Sequence, residues 1–457
     1  MTAVFWFRRD LRLQDNEALN AAFACEEGDA GQVAAVYKFD SADFESLEGI
    51  RQHSLFESLR SLTSDIGNHL HISDSKTTES FASALVEACN EVKTKSVFAQ
   101  ESFDPKGVEE QGIVAKFLES KGFALHLIGS AYAVRPGTVR KPDGTNYRVY
   151  TPFYKSWVIL ADVHPKKLPK DITWLKLSQS VDIPKPTKDS PLKVVAGEAF
   201  ALRTLKRFKD RALDSYDQMR NRADLSGTSH LSHALAHGEI HPRTLLAELN
   251  DSSGHEVFRK EIAWREFYAD VLHHYPHTVD DYYEPRFKKL RYDSGPKAEE
   301  RFKAWCKGET GFPMVDAGMR QLLAEGWMHN RTRMIVASFL VKDLHIEWTR
   351  GAEHFEKHLS DFDPASNSHG WQWTAGCGTD ASPYYRIFNP ILQGLKFDPN
   401  GDYVRKYIPE LRHLEGPSAH EPWEVFDGYQ GGYPVQIVDH NEERNESLAR
   451  LEELKNV

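Results

Sequence analysis

Several short segments of the chain combine residue types that could bind or transform a ligand. The earliest, residues 227–232 with the sequence GTSHLS, places three hydroxyl side chains before a run of helical periodicity. Backbone amides at a helix start attract anions, and small hydroxyl residues add hydrogen-bond donors. A phosphate or pyrophosphate would suit this segment. An ordinary helix cap would look the same, and the six residues taken alone favour the cap.

A second group lies on one predicted helix. Glu261, Trp264, Arg265 and Tyr268 are spaced i, i+3, i+4 and i+7, so they share one helical face. A carboxylate, an indole and a guanidinium on one face could offer a flat polar ligand a hydrogen-bond acceptor and a stacking surface. The alternative is an amphipathic helix whose Trp packs and whose charges pair in solvent, and the spacing alone favours it.

A third group begins at Asn330, Arg333 and Met334, which also form a helical stripe. An Asn amide can read the donor and acceptor edge of a heterocycle, and Met adapts to a variable apolar surface. Asp361 follows, and we expect it to form a buried ion pair with Arg333 beside a ligand.

Two further features could be mistaken for metal sites. Asp361 and Asp363 are followed by Asn367, but no third carboxylate stands at the spacing of a calcium loop. The histidines of residues 273–277, HHYPH, have no partners at a ligand spacing, so we interpret them as a polar helix end. No metal is expected.

Tryptophan is abundant, with 10 residues in 457. Core packing is the usual role of an indole. Trp348, Trp371 and Trp373 nevertheless lie close to the polar segments described above, and indoles are readily oxidised by an excited cofactor.

Composition limits the class of protein. The chain is 40% hydrophobic and 27% charged, typical of a globular protein with two or three domains. Its formal net charge of −10 argues against a protein that is basic all over, although a local basic surface could still bind DNA. The four cysteines form no CxxC pair, and the N-terminus is neither a signal peptide nor a membrane span, so a cytoplasmic location is predicted.

Periodicity predicts the organisation. Up to about residue 130, strands alternate with helices, which indicates an α/β domain with a parallel, doubly wound sheet. Residues 131–197 are rich in proline and are interpreted as a connector without helix or sheet core. Helical periodicity dominates residues 198–457, predicting a large all-α domain. The predicted strands are 4–7, 32–39, 69–73, 96–100 and 124–128, and residues 441–454 are predicted to form a solvated surface helix.

Taken together, the motifs resemble those of class I DNA photolyases, within the photolyase/cryptochrome family. The similarity spans nearly the whole chain. It includes FWFRRDLRLQDNEAL at 5–19, YTPFYKSW at 150–157, GTSHLSHALAHGEIHPR at 227–243 and EIAWREFY at 261–268, and it is densest over 311–394. The resemblance implies light-driven repair of cyclobutane pyrimidine dimers in UV-damaged DNA by a reduced flavin, which is carbon–carbon lyase chemistry.

The resemblance also implies an FAD cofactor in the helical domain. The phosphates would be held by Tyr216, Thr228, Ser229, Leu231 and Ser232. The isoalloxazine and ribitol would be surrounded by Arg333, Asp361, Asp363 and Asn367, with Asn367 facing the flavin N5.

At the substrate end, Glu261 resembles the family carboxylate that hydrogen-bonds the dimer. Trp264 and Trp373 resemble the walls against which the dimer stacks, and Asn330 and Met334 match positions that line the same pocket. The set of expected substrate and DNA contacts is completed by Arg265, Tyr268, Arg331, Arg220, Arg386 and Lys396.

The family's chain of redox-active tryptophans would begin at Trp371 and pass to Trp348. At its far end the sequence departs from the family pattern, because the usual third Trp aligns best with Tyr292. Trp305 is the other candidate for that role.

Alternatives to dimer repair are a (6-4) photolyase and a cryptochrome-type light receptor. Photolyases of the (6-4) type carry His where this chain has Asn330 and Met334, and receptors often have long C-terminal extensions. An antenna chromophore is expected in the N-terminal domain, with 5,10-methenyltetrahydrofolate first, a deazaflavin second and an empty pocket as the remaining possibility. A monomer is expected.

Overall fold

The computed structural model describes residues 2–24, 31–169, 172–380 and 385–455. Cys25 therefore lies outside the described residues. By their contacts the residues fall into two compact units, and each is described by itself. The first comprises Met1–Arg211 and Ser229–Pro276, and the second comprises Ala212–Thr228 and His277–Val457.

The first unit is built on a parallel sheet whose strands follow the order β3-β2-β1-β4-β5. All five predicted strands are confirmed. Strand β1 is buried on both faces, as its continuous apolar sequence requires in a sheet covered by helices on both sides. The strands are β1 Thr2–Phe7, β2 Gln32–Phe39, β3 Leu70–Asp74, β4 Ser96–Ala99 and β5 Ala124–Leu127.

Helices connect these strands, as the predicted doubly wound fold requires. Their starts follow local chemistry: Thr77 and Ser80 form a reciprocal capping box before one helix. Asp104 caps the next helix with Pro105 in its first turn. The helices are α1 Glu17–Ala24, α2 Ser41–Ser46, α3 Gly49–Asp65, α4 Thr78–Glu91 and α5 Pro105–Ser120.

The expectation that the proline-rich residues contain no helix or sheet core is wrong. They form helix α6, Tyr150–Leu160, and a two-residue strand β6, Thr173–Trp174, which pairs with β2. Pro152 does not prevent α6 because it lies in the first turn, where a missing N–H costs no helical hydrogen bond. Phe153 and Trp157 then lie one turn apart and are buried.

The remaining regular elements of the first unit are helices. It includes the long helix α11, whose buried residues follow helical periodicity. The helices are α7 Glu198–Arg211, α9 Ser232–His237, α10 Pro242–Leu246 and α11 Ser253–His274, with α8 Tyr216–Met219 belonging to the second unit.

The second unit consists mainly of helices around one apolar core. Periodicity predicts individual helices over 199–216, 243–249, 257–273, 297–307, 315–326, 331–346 and 353–359, so α16 to α18 were not predicted individually. Helix α16 shows almost no apolar periodicity, since its sequence PASNSHGWQWTA mixes polar and aromatic residues. The helices are α12 Pro296–Lys307, α13 Pro313–Glu325, α14 Asn330–Lys342, α15 Trp348–His358, α16 Pro364–Ala375, α17 Pro390–Phe397, α18 Asp402–Tyr407 and α19 His440–Lys455.

Helix α19 confirms the predicted C-terminal helix but is not simply solvated. Ser447, Arg450 and Leu454 are buried. The Arg450 guanidinium donates a hydrogen bond of 2.9 Å to the carbonyl oxygen of Arg291. Although the sequence of α19 is highly charged, one face of the helix packs on the second unit. Within the described ranges, no helix has both the length and the apolarity that crossing a bilayer would need.

Candidate functional site

The stripe predicted on α11 is present in the first unit. Glu261, Trp264, Arg265 and Tyr268 are half-buried, while most of the residues between them are buried. The Trp264 indole stacks on the Tyr150 ring, with centroids 3.7 Å apart and planes inclined by 8°. One face of this indole is thus held by α6. The stripe is a rigid, partly exposed surface carrying a carboxylate and aromatic rings.

The guanidinium of Arg265 is engaged in contacts within the first unit. It donates hydrogen bonds of 2.9 Å to the Ala131 carbonyl and 3.3 Å to the Leu235 carbonyl. It also lies 4.6 Å from the centroid of the Tyr132 ring. These contacts tie two segments of the unit, residues 131–132 and Leu235 of α9, to α11. A contact between Arg265 and DNA stays a prediction.

Two carboxylates on other faces of α11 were missed by the sequence analysis. Glu266 accepts hydrogen bonds from the Ala133 amide at 2.6 Å, the Val134 amide at 3.0 Å and the Trp157 indole N–H at 2.6 Å. Asp270 accepts one of 2.7 Å from the Gly137 amide. Burial raises the pKa of Glu266, opposed by its N–H donors. These carboxylates anchor residues 133–137, whose amides would otherwise need other partners.

The GTSHLS segment is not an ordinary hydroxyl cap. Ser229 Oγ accepts a hydrogen bond of 3.3 Å from the Leu231 amide. The N-cap of α9 is Leu231, whose side chain cannot accept a hydrogen bond. The prediction that these residues hold phosphates is therefore compatible with the local structure, and it stays a prediction. In the second unit, Tyr216 is buried, and the Arg220 guanidinium lies 5.9 Å from its ring centroid.

The predicted ion pair of the second unit is present. Arg333 Nη2 lies 2.7 Å from Asp361 Oδ2, and Arg333 Nε donates to the Met328 carbonyl at 2.9 Å. The Asp361 side chain is 1% exposed, against 25% for Arg333. Among the described residues, the other oxygen, Asp361 Oδ1, is buried without a hydrogen-bond partner. An unpaired buried carboxylate oxygen is costly unless a ligand supplies a donor.

Two polar residues of the same region are held by hydrogen bonds to the backbone of α15 and α16. Asp363 caps α16 by accepting a hydrogen bond of 2.8 Å from the Ser366 amide. Asn367, one turn further on, donates from Nδ2 to the Ala352 carbonyl of α15 at 3.2 Å. Its half-buried amide is thus held in one orientation. With Arg333 and Asp361, these residues form a set of hydrogen-bonding groups that fits a polar heterocyclic cofactor.

An aromatic cluster is built on the same two helices, α15 and α16. Trp371, on α16, is buried and packs against Gly351 of α15, where an added Cβ would lie 2.2 Å from the indole Cη2. Trp348 lies one turn before Gly351 on α15 and is fully buried. The Trp305 ring centroid is 6.1 Å from that of Trp371. The Tyr282 ring centroid is 5.8 Å from that of Trp348.

The remaining predicted DNA contacts of the second unit are accessible to different degrees. Asn330 is exposed, and Met334 and Trp373 are half-buried. Arg331 donates to Asn221 Oδ1 at 2.7 Å. The Arg331 guanidinium lies 4.4 Å from the Phe397 ring centroid, and Lys396 Nζ lies 5.3 Å from it.

Arg331 and Lys396 therefore form a small basic patch around one ring. Arg386, also predicted to contact phosphate, is exposed. Over the ranges that the structure describes, no group of three His, Cys, Asp or Glu residues is arranged to hold a metal ion.

Comparison with known families gives two matches along the chain. Residues 3–170 match the model described as DNA photolyase. Residues 258–453 match the model described as the FAD binding domain of DNA photolyase. The second match contains most of α11 of the first unit, and α12–α18 and most of α19 of the second.

Curated relatives match nearly the whole length. The deoxyribodipyrimidine photo-lyase of Agrobacterium fabrum is 38% identical, with 99% of this chain and 98% of the relative covered. That of Alkalihalophilus pseudofirmus is 36% identical, with 97% and 96% covered.

Solved structures agree. A class III photolyase from Agrobacterium tumefaciens has a TM-score of 0.89 at 36% identity, covering 100% of this chain and 98% of that one. A cryptochrome from Synechocystis sp. PCC6803 has a TM-score of 0.86 at 26% identity, covering 98% of both chains. The similarity to the photolyase/cryptochrome family is confirmed, whereas the class I assignment stays a prediction.

Proposed function

Because the chain belongs to the photolyase/cryptochrome family, we propose that it is a deoxyribodipyrimidine photo-lyase that repairs cyclobutane pyrimidine dimers in DNA under blue light. The observation that carries the proposal is the ion pair of Arg333 with the buried Asp361, whose Oδ1 has no partner among the described residues, inside the region that matches an FAD-binding domain. The full-length relatives named as photo-lyases favour repair over a receptor role.

The cofactor we propose is FAD. When bound and reduced, it supplies the light-excited electron that splits the cyclobutane ring. Arg333, Asp361, Asp363 and Asn367 would hold the flavin and ribitol, and Asp361 Oδ1 would accept a hydrogen bond that no described residue provides. The phosphates would lie against Tyr216, Thr228, Ser229, Leu231 and Ser232.

The substrate is a dimer flipped out of the duplex. Flipping costs a few kcal/mol and is cheapest at damaged sites. Stacking on aromatic side chains returns about 1–3 kcal/mol per base, so Trp264 and Trp373 would offset much of that cost. Glu261 would hydrogen-bond the dimer, and Tyr268, Asn330 and Met334 would line its pocket.

DNA phosphates would be bound by cations of the second unit. In the second unit, Arg331 and Lys396 lie around the Phe397 ring, and Arg386 is exposed. Arg220 is placed in the same role by its motif position. A local basic surface of this kind allows a protein with net charge −10 to bind DNA.

A repair assay tests the function. Purified protein with chemically reduced cofactor is illuminated with a thymine-dimer oligonucleotide, and recovery of thymine absorbance is followed against a dark control. Recovery supports the proposal. Bound flavin without recovery of thymine absorbance would favour a cryptochrome-type light receptor. Repair of (6-4) photoproducts alone would favour a (6-4) photolyase.

A variant separates substrate from cofactor binding. Glu261→Ala is expected to lower the repair yield while FAD stays bound at the wild-type ratio, because its role is assigned to the dimer. Flavin absorbance and repair are measured on the same sample. Loss of FAD in this variant would reassign Glu261 to the cofactor.

The remaining proposals are the antenna, the assembly state and the functional domains. A folate antenna is placed in residues 1–130, with a deazaflavin as the second choice, and an absorption spectrum of the purified protein distinguishes them. Residues 131–197 are proposed as the connector and 198–457 as the FAD- and DNA-binding region. A monomer in the cytoplasm is expected, which light scattering and fractionation test.

A further inference from the structure

A tyrosine pair with a carboxylate lies next to Trp348. The Tyr282 ring meets the Trp348 indole edge to face, with centroids 5.8 Å apart. The Tyr282 hydroxyl donates to Glu347 Oε1 at 2.8 Å and lies 3.1 Å from the Tyr292 hydroxyl. Tyr282 is buried, with 4% of its surface exposed. A phenol held between an indole and a carboxylate has an electron acceptor on one side and a proton acceptor on the other.

The loop that carries Tyr282 is fixed by the same helix that carries Trp371. Gln372 donates from Nε2 to the Thr278 carbonyl at 2.9 Å and to the Asp281 carbonyl at 3.1 Å. Its Oε1 accepts from the Tyr283 amide at 2.7 Å. Glu347 is the N-cap residue of α15 and directly precedes Trp348. The indole, the phenol and the carboxylate are therefore positioned by two adjacent helices rather than by a free loop.

Trp305, the tryptophan whose ring lies 6.1 Å from that of Trp371, has a different environment from Tyr282. Trp305 is fully buried, and its indole N–H donates to the Val336 carbonyl at 3.0 Å. A backbone carbonyl cannot take up the proton of an oxidised indole. The adjacent Phe302 ring, 5.9 Å from Trp305, carries the Arg350 guanidinium 3.9 Å from its own centroid. The Arg350 charge is already paired with Glu299 at 2.6 Å. A positive charge on Trp305 would thus stay in an apolar site without a carboxylate of its own, which is unfavourable.

We propose that Tyr282 is the terminal electron donor of the Trp371–Trp348 route, with Glu347 as the acceptor of its proton. The proposal rests on the proposed function, because photoexcited oxidised flavin is the primary oxidant. Trp348, after losing one electron toward Trp371, takes one electron from Tyr282. The Tyr282 O–H bond breaks, its proton passes to Glu347 Oε1, and a neutral tyrosyl radical remains.

Tyr292 is the positioning residue of this site. It is half-buried, whereas Tyr282 is buried. Its hydroxyl can hydrogen-bond the oxygen of the radical. A soluble thiolate then returns one electron while Glu347 returns the proton to the phenol, and a thiyl radical leaves in solution.

The test uses flash-illuminated holoprotein with oxidised cofactor. Electron paramagnetic resonance with ring-deuterated tyrosine or tryptophan identifies the radical, and infrared difference spectra report protonation of Glu347. We expect a tyrosyl radical and a new carboxylic acid band in the wild type. Tyr282→Phe should replace both signals with a tryptophan radical and speed charge recombination by about tenfold or more.

Glu347→Gln removes the proton acceptor and leaves the phenol. It should give the same tryptophan radical, and Glu347→Asp should partly restore the tyrosyl signal. Tyr429→Phe, a half-exposed tyrosine elsewhere in the unit, is the matched control and should resemble the wild type. Trp305→Phe should also leave the tyrosyl signal unchanged.

Three outcomes would overturn the proposal: a tyrosyl radical that survives in Tyr282→Phe, its loss in Trp305→Phe, or no photoreduction in the wild type. Repair by chemically reduced enzyme is measured in parallel and should be unchanged in Tyr282→Phe. A wild type that forms the tyrosyl radical but repairs no dimer would defeat the proposed function and leave this inference standing.

Discussion

Glu266 and Asp361 are both buried carboxylates, yet they are satisfied differently. Three N–H groups of the chain donate to the Glu266 oxygens. Asp361 receives one donor, from Arg333, while Asp361 Oδ1 has no partner among the described residues. Buried polar groups are almost always paired, so a carboxylate that the chain completes is part of the fold. One that the chain leaves open points to a ligand.

The largest effect on stability is expected from removing Glu266, the carboxylate whose hydrogen bonds the chain itself completes. Glu266→Ala leaves three N–H donors without an acceptor, each costing about 1–3 kcal/mol. We expect the free energy of unfolding to fall by about 3 kcal/mol or more, measured by urea denaturation. Glu109→Ala, at an exposed position of α5, should stay within about 0.5 kcal/mol of the wild type. A loss below about 1 kcal/mol would show that Glu266 is not an anchor.

The open carboxylate should affect binding more than folding. Asp361→Asn keeps the shape and an acceptor for Arg333 but loses the charge facing the ligand. A hydrogen bond to a charged group contributes about 1.5–3 kcal/mol, so FAD affinity should fall about 10- to 100-fold. Fluorescence titration of the apoprotein with FAD measures this change. The contrary result would be an unchanged affinity for FAD and a loss in the free energy of unfolding as large as that of Glu266→Ala. Asp361 would then serve the fold in the same way as Glu266.

Two glycines, one in a tightly packed site and one in an open site, allow a similar comparison of packing. At Gly351, an added Cβ would lie 2.2 Å from Trp371 Cη2 and 2.6 Å from Leu340 Cδ2. Gly351→Ala should therefore destabilise the protein by about 1–3 kcal/mol through overpacking. Gly112→Ala, on a helix with no neighbour within 4 Å of the new Cβ, should instead stabilise it by about 0.4–1 kcal/mol. Thermal denaturation of both variants checks the opposite signs.

The smallest effect concerns the surface cations. Lys396→Ala should weaken DNA binding and reduce the slope of log affinity against log salt by about 0.9, the value of one phosphate contact. Arg60→Gln, whose exposed guanidinium pairs with Glu57 on α3, is the control and should leave the slope unchanged. Binding titrations at several salt concentrations measure both. An equal fall in slope for Arg60→Gln would show that the effect of Lys396 is one of overall charge.

Much of the architecture follows from the sequence because local signals are strong there. The five buried strands are short apolar runs, and the α11 stripe follows from helical spacing. The Arg333–Asp361 pair was expected from the motif and is present at 2.7 Å. Helices α6 and α16 were not predicted, because α6 begins in a proline-rich segment and α16 mixes polar and aromatic residues without apolar periodicity.

The roles of Glu266 and Tyr282 could not be predicted from local pattern. The Glu266 partners lie 109 to 133 residues away in the chain, and the Glu347 partner of Tyr282 lies 65 residues away. Periodicity reports which face of a helix is buried, but it does not report which distant amide or phenol will meet that face. For Glu266, the signal available beforehand was that the backbone amides of residues 133–134, at the start of the proline-rich segment, needed acceptors.

Gly351 has a consequence beyond packing. Electronic coupling between two rings decays exponentially with the gap across which they meet, so small displacements change transfer rates by large factors. The missing side chain lets the indole of Trp371 rest directly on the backbone of α15, the helix that carries Trp348 one turn away. In the proposed Trp371–Trp348 route, a single hydrogen atom in place of a methyl group would therefore limit the distance that charge must cross, and with it how often a separated charge survives long enough to be used.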